Sequence, residues 1–285
     1  MLINLTQILQ IAEEKGIAVG AFNAPNLESL EAILAAAEEE NIPVILQFAQ
    51  CHEPLIPLEV IGPVMVDMAK KSSIPVCVHL DHGEDLDYLK KALDLGFTGI
   101  MIDGSTLPYE ENLALTKKAV AMAKEYGAGV EAELGSMGKR ELGGGEADDD
   151  DTKIYTDPDL AASFIKDSGI NALACSFGTT HGIYRKEPKL DFDVVKNVRA
   201  KADNIPVVMH GGSGVSKEDF HKAVNAGVRK INYFTYMDLA AGKAVKQKID
   251  GLKEGEPLYY TQFAVEARAA MTENILEAIR TFEGK

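Results

Sequence analysis

Apolar positions along the chain keep two alternating rhythms. Short runs of apolar and β-branched residues, each closed by Gly, Asn, Asp or His, give way to stretches whose apolar positions recur every three or four residues. A run that is apolar throughout predicts a strand covered on both faces, and the stretch after it predicts an amphipathic helix. Eight such runs stand out: IAVGAFN from Ile17, PVILQFA from Pro43, PVCVHLD from Pro75, GIMIDGS from Gly99, GVEAELG from Gly129, ALACSFG from Ala172, PVVMHGG from Pro206 and RKINYFT from Arg229. Between them, NLESLEAILAAAEEENI and DLDYLKKALDLGF predict helices, and in SKEDFHKAVNAGV residues Ser216 and Asp219 stand as N-cap and third-position acid. Strand and helix alternating eight times over 285 residues predict an α/β chain of one domain, a (β/α)8 TIM barrel spanning 1–285. A doubly wound open sheet is the alternative. Extra helices are predicted at both ends: one carrying Leu2, Leu5, Ile8, Leu9 and Ala12 on one face, the other over Ala264 to Phe282.

Two stretches break the rhythm. Gly135 to Pro158 reads as a long polar loop rich in glycine and acids, and Lys246 to Pro257 as a polar connection. The net charge of −15 and a pI near 4.9 oppose a phosphate backbone, which excludes nucleic acid as the expected partner. Every apolar run is strand-length, so no membrane span is expected, and the helical start lacks the form of a signal peptide. A cytoplasmic setting is therefore expected. Cys51, Cys77 and Cys175 are scattered without disulfide or zinc-site spacing, and the latter two read as inert core thiols.

In a barrel the C-terminal ends of all eight strands meet on one rim, so residues distant in sequence converge there. His82, His181 and His210 close the third, sixth and seventh strands. Singly, each reads as a hydrogen-bonded loop residue; together, three neutral imidazoles with an open fourth position form a catalytic zinc arrangement. Asp81 precedes His82, so in an extended chain the two side chains project to different sides. That placement suits either a carboxylate that holds a histidine or a proton carrier beside the metal. Asp103 and Glu133 close the fourth and fifth strands, as partners of the ligands or as a second metal position. HGGSG, from His210 to Gly214, precedes a capped helix, and NYFT, from Asn232 to Thr235, follows the eighth strand. These are the usual phosphate-binding loops of such a barrel.

Phe22-Asn23, HLDHG, MIDGS, VEAELG, GTTHGIY, HGGSG and KIN, in this order along almost the whole chain, resemble the class II ketose-bisphosphate aldolases, zinc-dependent (β/α)8 enzymes that form dimers or tetramers. The resemblance implies that Zn2+ is bound by His82, His181 and His210 and polarises the C2 carbonyl of a ketose phosphate. It implies that Asp81 exchanges the C4 hydroxyl proton, and that Asn23, Gly182, Gly211, Ser213, Asn232 and Thr235 hold the dihydroxyacetone phosphate half. Asp103 and Glu133 resemble an alternate metal position, and a monovalent cation, Na+ or K+, is a further candidate cofactor. For the C3 proton, Glu146 on the loop after the fifth strand is the candidate, with Glu141 as the alternative.

The departures collect at the other end of the substrate. Where family members carry an Arg before a Tyr in the tail, this chain reads GEPLYY with Leu258. Loss of such a charge-assisted phosphate contact costs on the order of 1.5–3 kcal/mol. The loop after the second strand reads AQCHEPLIPLE, which makes Cys51 and His52 the candidate C6 contacts, and Phe234 stands where fructose-bisphosphate enzymes often have Asp. A sulfonate carries one charge less than a phosphate dianion. The expectation is therefore 6-deoxy-6-sulfofructose 1-phosphate, with fructose or tagatose 1,6-bisphosphate as the alternative. Three other classes are alternatives: a Schiff-base aldolase, for which Lys230 lies too early in the eighth strand; a non-catalytic relative that binds a metal or sugar phosphates; and a barrel isomerase or epimerase, whose chemistry does not require three histidines around one metal.

Overall fold

The computed structural model describes residues 1–135, 155–180, 182 and 188–284. Each of the eight apolar runs forms a strand: β1 Val19–Asn23, β2 Val44–Ala49, β3 Val76–Gly83, β4 Gly99–Ile102, β5 Gly129–Leu134, β6 Ala172–Cys175, β7 Val207–Met209 and β8 Val228–Tyr233. All pair in parallel in sequence order, and β8 closes on β1 through Val19 opposite Lys230 and Phe22 opposite Tyr233. The open sheet is thereby excluded.

Among the described residues ten helices surround the strands: α1 Leu5–Lys15, α2 Leu27–Glu40, α3 Leu58–Lys71, α4 Leu86–Asp94, α5 Tyr109–Tyr126, α6 Pro158–Ser168, α7 Phe192–Lys201, α8 Lys217–Ala226, α9 Thr235–Asp250 and α10 Tyr260–Phe282. Their starts follow local chemistry. Asn26 caps α2 and Ser216 caps α8, each accepting from the backbone N–H three residues on. The polar connection predicted over Lys246 to Pro257 begins only at Gly251, because Lys246 to Asp250 forms the last turn of α9, stapled by Lys246 to Asp250 at 2.8 Å. The final helix starts four residues earlier than predicted, at Tyr260. Both differences involve exposed helical turns, where apolar periodicity is weakest.

α1 lies across the N-terminal end of the barrel. Leu5 is fully buried there, and a side chain at Gly129 would bring its Cβ to 2.9 Å from that of Leu5, so glycine is what lets helix and strand approach. Glu13 ties the same helix to the wall through Arg199 at 2.8 Å and Arg229 at 2.7 Å. With one end plugged by packing, the opposite rim is left for chemistry.

Candidate active site

His82 breaks the alternation of β3. Its φ of 46° is left-handed, and the register with β4 shifts between Leu80 and Gly83. The expected divergence of residues 81 and 82 is thereby corrected. Ligand-capable atoms of Asp81, His82 and His210 lie within 4.8 Å of one another, as do those of His82, Asp103 and Glu133.

The two imidazoles are oriented from behind. His82 Nδ1 lies 2.9 Å from Asp103 Oδ2, and His210 Nε2 lies 2.7 Å from Glu131 Oε1. The remaining nitrogens, His82 Nε2 and His210 Nδ1, face each other at 3.0 Å. With both ring protons drawn to carboxylates, two lone pairs meet there, an arrangement that a shared cation relieves. Glu133 Oε2 adds a buried acceptor without a hydrogen-bond donor, and burial together with Asp103 pushes its carboxyl up to about 8. The donor set therefore fits a metal of nitrogen and oxygen preference such as zinc.

Asp81 is buried, yet it has its own donors. Asn23 Nδ2 donates to one carboxylate oxygen at 3.1 Å and Asn232 Nδ2 to the other at 3.0 Å, with Gln47 Nε2 at 3.4 Å. Burial alone would raise this carboxyl, but His82, Lys230, His210 and the amide donor at Asn23 hold it well below the usual range. Asp81 is thus an anion held in an acceptor-only state, ready to take a proton from a stronger acid or from a hydroxyl made acidic.

Beside it lies a cavity of about 40 Å3 lined by Asn23, His52, Asp81, Gly182, Gly211, Ser213, Asn232 and Thr235, among others. Gly211, at φ 65°, lets the chain turn sharply after His210. The first turn of α9 has no side-chain cap, which leaves its backbone N–H groups to an anion. Every residue expected in the dihydroxyacetone phosphate half lines this one cavity. His52 lines it as well, with its ring 5.0 Å from that of Phe234. Cys51 does not: it occupies the same 3-10 turn, Gln50–His52, where successive side chains point about 120° apart. His181, Glu146 and Glu141 lie outside the described residues.

Glu131 and Gln47 carried no expectation from the sequence, and Lys230 was placed only at the start of the eighth strand, away from the rim. All three are fully buried and point into the barrel. Lys230 is the third residue of β8 and not a residue at its start; its Nζ lies 2.9 Å from Glu131 Oε2 and 2.7 Å from Asn232 Oδ1. The signal was available: residues 131 and 133, like 230 and 232, are two apart on one strand and so share a face.

A closed parallel barrel that gathers histidines and carboxylates able to hold a metal ion at one rim, beside a cavity, defines an enzyme of the TIM-barrel class. The chain belongs to the class II fructose-bisphosphate aldolase family: the model described as "Fructose-bisphosphate aldolase class-II" matches residues 3–285. It is 39% identical over 289 residues to the fructose-bisphosphate aldolase of Staphylococcus aureus, covering 99% of this chain and 97% of that one. To the probable fructose-bisphosphate aldolase of Bacillus subtilis it is 38% identical over 287 residues, with 99% and 97% covered. Among solved structures, the YdjI aldolase of Escherichia coli K12 superposes with a TM-score of 0.87 at 36% identity, covering 99% of this chain and 97% of that one. The protein is therefore a lyase of the aldolase type.

Proposed function

We propose that this aldolase uses zinc to cleave a ketose 1-phosphate reversibly into dihydroxyacetone phosphate and an aldehyde. The convergence of Asp81, His82 and His210 beside the glycine-lined cavity carries this reading. His82 and His210, joined by His181 on the strength of the family resemblance, would hold the ion, which supplies Lewis-acid polarisation of the C2 carbonyl. Asp81 accepts the C4 hydroxyl proton as the C3–C4 bond breaks; C4 becomes the aldehyde carbon and the electron pair stays on the C2–C3 unit. Asn23 and Asn232 hold Asp81 in place for that transfer, and Glu146 returns a proton to C3. Gly182, Gly211, Ser213 and Thr235 receive the phosphate of the retained half, and the working unit is a homo-oligomer.

At the C6 end, Leu258, which stands where family members carry an Arg, is exposed in the connection between α9 and α10. This supports a monoanionic C6 group, with 6-deoxy-6-sulfofructose 1-phosphate as the substrate and sulfolactaldehyde as the aldehyde product. The names of the relatives favour a second reading, fructose 1,6-bisphosphate. Steady-state comparison of the sulfonate with fructose and tagatose bisphosphates separates the two: kcat/KM should be highest for the sulfonate, and a clear preference for a bisphosphate refutes that choice. Failure of the zinc-loaded protein to cleave any of the three refutes the aldolase reading altogether.

A further inference from the structure

Lys230 is fully buried in the barrel, below the rim, and does not line the cavity. Taking a charge out of water is costly unless it is paired, and its pairing here is specific. Its ammonium donates to Asn232 Oδ1 at 2.7 Å and lies 2.9 Å from Glu131 Oε2, an ionic contact outside good hydrogen-bond direction. An ammonium has donors only, so the atom of Asn232 that faces it must be the carbonyl oxygen. The amide nitrogen is then forced to the other side, where it donates to Asp81 Oδ1 at 3.0 Å. Gln47 does the same for the second amide, donating to Asn23 Oδ1 at 3.0 Å while Asn23 donates to Asp81 Oδ2 at 3.1 Å. The lysine has the stronger hold, because glutamine can reverse its own amide and lysine cannot.

We infer that Lys230 is a positioning residue for proton transfer: through Asn232 it fixes the orientation of the Asp81 carboxylate without touching substrate. Glu131 is its counter-charge and anchor, using its other oxygen to orient His210. The role rests on the reading that Asp81 exchanges the C4 hydroxyl proton. It makes a sharp distinction, because breaking the C3–C4 bond needs that transfer, whereas exchange of the C3 hydrogen of dihydroxyacetone phosphate with solvent does not.

The test is the paired variant Lys230→Met/Glu131→Gln, which removes both buried charges and leaves a carbonyl oxygen for His210. Assayed as zinc-loaded enzyme with the best of the three ketoses, it should lose about 10–100-fold in kcat for cleavage, with KM within about threefold of wild type. Solvent exchange at C3 of dihydroxyacetone phosphate, followed at saturating zinc because Glu131 also orients His210, should fall by much less than cleavage. In an Asn232→Ala background the same pair should change cleavage by less than about twofold, since its route to Asp81 is already cut. Unchanged cleavage, equal losses in cleavage and exchange, or losses that multiply in the Asn232→Ala background would each overturn the inference. A wild-type enzyme that exchanges C3 but cleaves no ketose would fail the aldolase reading instead. If the pair melts below assay temperature, Lys230→Gln, which retains an N–H donor, is compared with Lys230→Leu, which has none; absence of the cleavage-only difference between them is equally fatal.

Discussion

Asp81 shows how much one side chain depends on its neighbours. Its depressed carboxyl is the sum of burial, which opposes the charge, and of His82, Lys230, His210 and the amide donor at Asn23, which restore it. Asp81→Asn keeps the shape and removes the proton acceptor. Cleavage should fall by about 10²–10⁴-fold, the usual worth of a general base, with zinc per chain retained when measured by atomic emission. An equal loss of zinc would make Asp81 a ligand and not a proton carrier. The thiols give a second expectation. Burial pushes Cys77 and Cys175 up to about 12, whereas Cys51 is partly exposed. A thiol reagent applied to the native protein should therefore modify Cys51 alone, and all three after denaturation. At this scale the sequence was readable where a residue sat at a strand end, as with Asp81, His82, His210 and Asp103. One layer deeper only half was readable: the two-residue spacing gave the face, but a charge inside an apolar strand has meaning only once its cross-barrel partner is known. Glu131 and Lys230 are more than ninety residues apart in the chain and 2.9 Å apart in space.

Among the elements, the strands were legible because a parallel barrel buries both faces and leaves a continuous apolar run. The last turn of α9 was not, because exposed helical residues carry no periodic signal. α1 deserves a test of its own role as the barrel's plug. Leu5→Ala should destabilise the fold by about 2–5 kcal/mol, read from denaturant unfolding, since the side chain is fully buried against strand glycines. The ion pairs of the same helix set a pH dependence. Partial burial raises Glu13, but Arg229 and Arg199 outweigh it, so its carboxyl sits below the ordinary value of 4.5. A depressed acid contributes stability above its unfolded value and loses it as pH falls through the folded one. Wild type should therefore melt slightly above Glu13→Gln at neutral pH, with the gap closing as pH drops below about 4.5. Glu13 is 42% exposed, so screening keeps the gap small, and a gap that widens in acid would contradict the pairing.

For the whole molecule, eight strands supply one rim, and the chemistry belongs to no single segment. The family resemblance was legible because its short motifs recur in order along nearly the entire chain, and the match over residues 3–285 bears it out. The aldehyde end was less legible, since Leu258, His52 and Phe234 come from three separate stretches whose relation no periodicity encodes. Metal removal is the test at this scale. A chelator should abolish cleavage and lower Tm, and added zinc should restore both, whereas borohydride with substrate should leave the protein unmodified. Covalent trapping on a lysine would reverse the assignment.

The left-handed backbone at His82 has a consequence for anyone redesigning this barrel. Of the non-glycine residues with positive φ among those described, Asn41, Asp203 and Asn204 are of types that tolerate it well, and they stand at helix ends or turns. His82 alone lies within a strand. A procedure that rewarded folding free energy and nothing else would be drawn to glycine or asparagine at that position. It would return a sturdier barrel with its rim erased, so the conformational expense at residue 82 marks where the chain traded durability for chemistry.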